Sequence, residues 1–66
     1  MRITVNGEQE DVREGITLLE FITDRGLDPK AVVAELDREI IAADSFASVR
    51  LSQGDTLELL QFVGGG

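Results

Sequence analysis

The sequence predicts an α+β fold, a mixed β-sheet packed on one main α-helix, in a single domain of 66 residues. Three observations carry that expectation. Asn6-Gly7 follows the alternating run Met1-Arg2-Ile3-Thr4-Val5, and this dipeptide after a strand-like arm is the strongest short hairpin signal. Thr17-Leu18-Leu19-Glu20 has the spacing of a helix capping box. The run Thr56-Leu57-Glu58-Leu59-Leu60-Gln61-Phe62-Val63 has polar side chains only at Thr56, Glu58 and Gln61, so it reads as a central strand covered by the helix on one face.

Each element follows from local chemistry. The return arm of the hairpin, Glu8-Gln9-Glu10-Asp11-Val12-Arg13, is poor in β-formers and rich in charge, which suits an edge strand that resists pairing with other molecules. Glu14-Gly15 breaks that strand, Thr17 opens the helix, and Ile16 and Phe21 are placed to form a hydrophobic staple. Leu18, Leu19, Phe21 and Ile22 supply the buried stripe of about two turns, and Gly26 stands where a C-terminal glycine stop belongs. Leu27-Asp28-Pro29 connects to a strand over residues 30–36, in which Val32, Ala34 and Leu36 would bury one face. Asp37-Arg38-Glu39 reads as a turn before the apolar pair Ile40-Ile41, and Asp44-Ser45-Phe46-Ala47 as a single helical turn. Val49-Arg50-Leu51 reads as a short strand, and Gln53-Gly54-Asp55 turns into the last one. The resulting order, β-β-α-β-β-β, segregates its elements and favours a layered α+β solution over strict βαβ alternation.

Composition narrows the chemistry by omission. Cys, His, Trp and Tyr are absent, so thiolate nucleophiles, imidazole bases and the usual soft metal ligands are unavailable, and the chain is not expected to be an enzyme by itself or to bind a cofactor. A net charge of −7 disfavours a phosphate backbone as ligand and favours a basic partner surface. No basic-then-apolar leader precedes the first strand, and no apolar stretch approaches the roughly 18 residues that would suggest a membrane span. The expectation is a cytoplasmic protein, monomeric when free, that binds neither nucleic acid nor membrane.

Function is read from residues 60–66. The final apolar run passes directly into Gly64-Gly65-Gly66. Three extended residues reach roughly 10 Å, and glycine has no Cβ to block a narrow channel. The organisation expected is therefore a folded domain over residues 1–63 and a flexible tail over 64–66, with the Gly66 carboxylate presented to the active site of another protein.

Taken together, the Asn6-Gly7 hairpin, the segment Val33-Ala34-Glu35-Leu36-Asp37-Arg38-Glu39-Ile40-Ile41, Gly54-Asp55 before the last strand and the Phe62-Val63-Gly64-Gly65-Gly66 end resemble the ThiS sulfur carrier family of thiamine biosynthesis. The resemblance covers the whole chain and implies a ubiquitin-like β-grasp. It further implies a carrier cycle. An E1-like adenylating enzyme of the ThiF type uses ATP to activate the Gly66 carboxylate, a sulfur donor system converts it to a thiocarboxylate, and a ThiG-type thiazole synthase consumes the sulfur. A carrier without cysteine cannot hold a persulfide of its own, which leaves the carboxylate as the attachment point. The family ends in two glycines, here Gly65 and Gly66, with Gly64 extending the tail.

Docking must come from the folded body. Phe62, Leu60 and Phe46 are candidates for an exposed apolar patch, with core burial the competing reading for each; Val63, Gly64 and Gly65 would be drawn into the same contact. Two other readings stay open at this stage. One is the related small subunit of molybdopterin synthase, and the other is a noncovalent β-grasp interaction module or a protein modifier joined through Gly66. Lys30 is the single lysine, which disfavours chain-building through lysines.

Overall fold

The computed structural model describes residues 1–62. Five strands and one helix follow the order β1 (Arg2–Val5), β2 (Glu8–Asp11), α1 (Leu18–Asp24), β3 (Val32–Leu36), β4 (Glu39–Ile41) and β5 (Thr56–Gln61). They make one mixed sheet ordered β2-β1-β5-β3-β4. β1 pairs antiparallel with β2 and parallel with β5, while β3 pairs antiparallel with both β4 and β5. This is the α+β β-grasp arrangement, with β5 at its centre and the charged β2 at one edge, as their compositions require.

The first hairpin closes through Asn6 and Gly7, whose φ angles of 49° and 85° are those of the two-residue turn that matches strand twist. Helix α1 starts with a complete capping box. The Glu20 amide donates to Thr17 Oγ1 at 3.0 Å, and the Thr17 amide donates to Glu20 Oε1 at 2.9 Å. It ends at Gly26, φ 77°, where the Gly26 amide donates to the Thr23 carbonyl and the Leu27 amide to the Ile22 carbonyl, the paired bonds of a Schellman stop. Leu18, Phe21 and Ile22 pack with Ile3, Val5, Val32, Ala34 and Leu57 in a core that also takes in Ile16, Phe46 and Leu51.

The structure corrects three sequence expectations. Residues 49–51 do not join the sheet; a single bridge links Thr17 and Arg50, with the Leu18 amide donating to Val49 and the Leu51 amide to Ile16. The segment straps the entry to α1, and its alternation reflects burial of Leu51 without a neighbouring strand of the sheet. The middle strand of the C-terminal half is instead β4, which includes Ile40-Ile41 and recruits Glu39. Its turn is Asp37-Arg38, at φ 49° and 73°, a left-handed pair without glycine. Asp37 holds the turn by exchanging two bonds with Thr56, amide to carbonyl and amide to Oδ1, both 2.8 Å. Finally, β3 begins at Val32 because Pro29–Ala31 forms a 3₁₀ turn capped by Asp28; a second 3₁₀ turn spans Ala43–Ser45, one residue before the turn expected from the sequence.

Candidate functional site

β5 is the element that aims residues 60–62, and it is held from both sides. On the β1 side the Thr4 amide donates to the Asp55 carbonyl and the Asn6 amide to the Leu57 carbonyl. Beyond that, β1 turns away into its hairpin and the ladder would stop. The Asn6 side chain continues it, with Oδ1 accepting the Leu59 amide at 2.8 Å. Asn6 thus serves as turn former and as an extra rung of the sheet. On the β3 side the register runs from Leu36–Leu57 to Val32–Gln61, and the Phe62 amide reaches the Ala31 carbonyl at 2.7 Å. The backbone is therefore tethered up to Phe62.

The alternation of β5 sends Leu57 into the core and Leu60 and Phe62 to the face away from α1. Leu60 is 62% and Phe62 56% exposed, and Ile40, on the neighbouring edge strand, is 65% exposed. Val33 is the direct cross-strand partner of Leu60 and is half-buried. These four side chains make an apolar patch that leads toward residue 63, and an exposed cluster of this kind marks an interaction surface. Covering one such side chain fully contributes about 1.5–3 kcal/mol.

Of the sequence candidates, Leu60 and Phe62 lie in this patch. Phe46 does not: it is 1% exposed and belongs to the core, because the short 3₁₀ turn before it points its ring inward to receive the start of α1, where its carbonyl accepts the Leu19 amide. Val63, Gly64, Gly65 and the expected reacting residue Gly66 lie outside the described residues. Ile40 and Val33 were missed. Val33 stands two residues from Glu35 on the same face of β3 and opposite Leu60, while Ile40 lies opposite Glu35 across the β3–β4 ladder, so a strand assignment for Ile40-Ile41 is needed to read the patch.

A concavity of about 270 Å³ lies between β2 and α1 and is lined by Val12, Ile16 and Phe21 beneath a charged rim. Its arginines are engaged: Arg25 pairs with Glu10 at 2.8 Å and lies 5.0 Å over the Phe21 ring, and Arg13 pairs with Asp24 at 3.1 Å. These pairs close the edge of the sheet over the helix and leave no free charge in the rim to orient a ligand.

Electrostatics elsewhere serve the frame. The capping bonds with Thr17 hold the Glu20 carboxyl below the usual carboxylate range. Hydrogen bonding and charge from Arg2 do the same for Asp11. Burial pushes the Asp55 carboxyl up, opposed by the bond it accepts from the Ser52 amide and reinforced by the neighbouring Asp37. Among the described residues no group of three or more His, Cys, Asp or Glu side chains is arranged to hold a metal, and no helix is long and apolar enough to cross a membrane.

Comparison with known proteins gives a consistent answer. A family model described as the ThiS family matches residues 2–66. The crystal structure of a thiamine biosynthesis protein, ThiS, from Geobacter metallireducens superposes with a TM-score of 0.85 at 30% identity, covering 100% of both chains. The sulfur carrier protein ThiS of Bacillus subtilis is 34% identical over 50 residues, 76% of each chain. A thiazole synthase from Paramagnetospirillum magneticum is 33% identical over all 66 residues, and one from Magnetococcus marinus 30%. The chain spans only 20% of the length of those two proteins.

Proposed function

Since the chain belongs to the ThiS family, we propose that it is the sulfur carrier of thiazole formation, loaded as a thiocarboxylate on Gly66. The observation that carries this reading is the family match over residues 2–66, supported by a central strand whose last tethered residue, Phe62, stands four positions before Gly66. A carboxylate at neutral pH is a poor electrophile with a poor leaving group. Adenylation by an E1-like enzyme cures both: a carboxylate oxygen attacks the α-phosphorus of ATP, pyrophosphate leaves, and a sulfur nucleophile then displaces AMP from the acyl carbon. Glycine leaves that carbon uncrowded. ATP is bound by the activating enzyme, and the carrier contributes presentation and docking.

In this reading the patch of Leu60, Phe62, Ile40 and Val33 seats the body on its partners while residues 63–66 enter their active sites. Those partners are a ThiF-type activating enzyme and thiazole synthase, and the cycle takes place in the cytoplasm. The thiamine pathway is preferred to molybdopterin because the matched relatives are named for ThiS and thiazole synthase. The test is the intact mass of the chain after incubation with ATP, an activating enzyme and a sulfur donor, with fragmentation to locate any change. Replacement of one oxygen by sulfur at Gly66 is expected, and Gly66→Val should abolish it while leaving the melting temperature in place. An unchanged mass with an activating enzyme proven competent on another carrier would overturn the proposal.

A further inference from the structure

The primary amines of this chain are those of Met1 and Lys30, and the fold places them at opposite ends of β5. Met1 lies near its start: the Met1 amino group donates to the Val12 carbonyl at 2.7 Å, and the carbonyl of the next residue, Arg2, accepts the Gly54 amide at 2.8 Å. Lys30 lies near its end. Val32 is the register partner of Gln61, the Ala31 carbonyl accepts the Phe62 amide at 2.7 Å, and Lys30 is the next residue beyond that tether. Its backbone is fixed in the 3₁₀ turn after Pro29, with the Lys30 amide donating to Asp28 Oδ1 at 2.9 Å. The residue is exposed and takes part in no ion pair among the described residues.

Chain length then separates the two amines. Gly66 stands four residues past Phe62, a span of at most about 14 Å. The six residues of β5 rise about 20 Å, which puts the Met1 amine out of range. Lys30 is within it: its Nζ rides on a flexible four-carbon stem, and glycine backbone can reverse direction over a short length. An acceptor on the same molecule meets the acyl carbon at a high effective concentration, whereas two copies that each carry a charge of −7 repel.

Resting on the carrier reading, we propose that Lys30 is an internal acceptor for the activated Gly66 carboxyl, so that an adenylate released without meeting sulfur closes onto Lys30 as an isopeptide and retires that copy of the carrier. The adenylate forms as ATP loses pyrophosphate. The lone pair of the deprotonated Lys30 Nζ attacks the acyl carbon, a C–N bond forms, and the C–O bond to AMP breaks with its electron pair leaving on AMP. The proton lost by the amine passes to solvent. No oxidant or reductant enters, and the chain loses one water overall. Supply of sulfur suppresses the closure, because the sulfur nucleophile meets the adenylate inside the activating enzyme, where an extended tail holds Gly66 away from Lys30.

The experiment is incubation of the full chain with ATP and an activating enzyme proven competent on another carrier, with the sulfur donor left out. Pyrophosphate release and intact mass are followed together. A monomer lighter by one water is expected, with fragmentation joining Lys30 to Gly66 and trypsin no longer cutting after Lys30. The closed form should also melt at a higher temperature, since the new bond closes a long loop in the unfolded chain. Lys30→Arg keeps the charge and removes the acceptor; it should keep the unmodified mass, and should form the thiocarboxylate as the wild type does once the sulfur donor is added. Lys30→Arg/Arg38→Lys moves the lysine past the other end of β3, beside the residue whose amide reaches Thr56, and should not close. Loss of water in either variant would overturn the proposal, as would crosslinked dimers in place of the lighter monomer. Pyrophosphate release with no loss of water would overturn it and leave the carrier reading standing. Absence of pyrophosphate release would remove the carrier reading and the closure with it.

Discussion

Leu57 and Leu60 are the same residue on the same strand, three positions apart, and their surroundings are opposite. Leu57 is fully buried beneath α1, whereas Leu60 is 62% exposed on the other side of the sheet. The difference teaches how this chain divides its labour. One helix of seven residues can cover one face of a five-stranded sheet, so that face supplies stability. The other face receives apolar side chains that stability does not use, and these remain available to a partner.

The sharpest way to break the contrast is to truncate both residues. Leu57→Ala removes a side chain packed among Ile3, Val5 and Ala34 and should cost about 2–5 kcal/mol, read from urea unfolding. Leu60→Ala should change stability by less than about 0.5 kcal/mol and act instead on affinity for the activating enzyme or thiazole synthase. A similar loss of stability from both substitutions would show that the outer face is part of the core.

A smaller effect is expected at the helix entry. Thr17→Ala deletes the acceptor for the Glu20 amide and should cost about 1 kcal/mol by chemical denaturation, with partner affinity unchanged. This places the penalty wholly on the covered face.

The smallest effect concerns pH. Asp55 has its carboxyl raised above the ordinary 3.8, so its contribution to stability is fully present below that value and is lost as pH rises through the raised value. Asp11 and Glu20 are lowered and behave inversely: their contribution is present above the ordinary carboxylate values and lost as pH falls through the lowered ones. Asp55→Asn keeps an acceptor for the Ser52 amide and removes the proton-linked loss. Melting temperatures recorded from pH 3 to pH 7, the span of ordinary carboxylate titration, should therefore show the variant equal to or above the wild type at the upper end. A variant less stable there would mean that the charge on Asp55 supports the fold.

Much of this division was legible in the residues. Asn6-Gly7, the Thr17–Glu20 box and Gly26 each encode one local geometry with little competition, and the structure holds each in that form. The Asp37-Arg38 turn was harder, because neither residue is a glycine and the left-handed conformation is secured by Thr56, 19 positions along the chain. The same limit applied to the site. Consecutive Leu59-Leu60 satisfies either parity of a strand, and only the register against β3 and β1 decides which leucine meets the helix. Val49-Arg50-Leu51 misled for a related reason: alternation reports that one side chain is buried, without saying whether a neighbouring strand exists.

Sheet order has a mechanical consequence for the proposed carrier role. β1 and β3 meet only through β5, and β5 runs straight toward residue 63. A pull on residues beyond Phe62 is therefore directed along the axis of the middle strand, loading the hydrogen bonds of both flanking ladders together in shear, with the Asn6 carboxamide sharing the load. Residues mounted on β5 are thus anchored by two ladders, whereas the same residues mounted on β2 or β4 would be anchored by one.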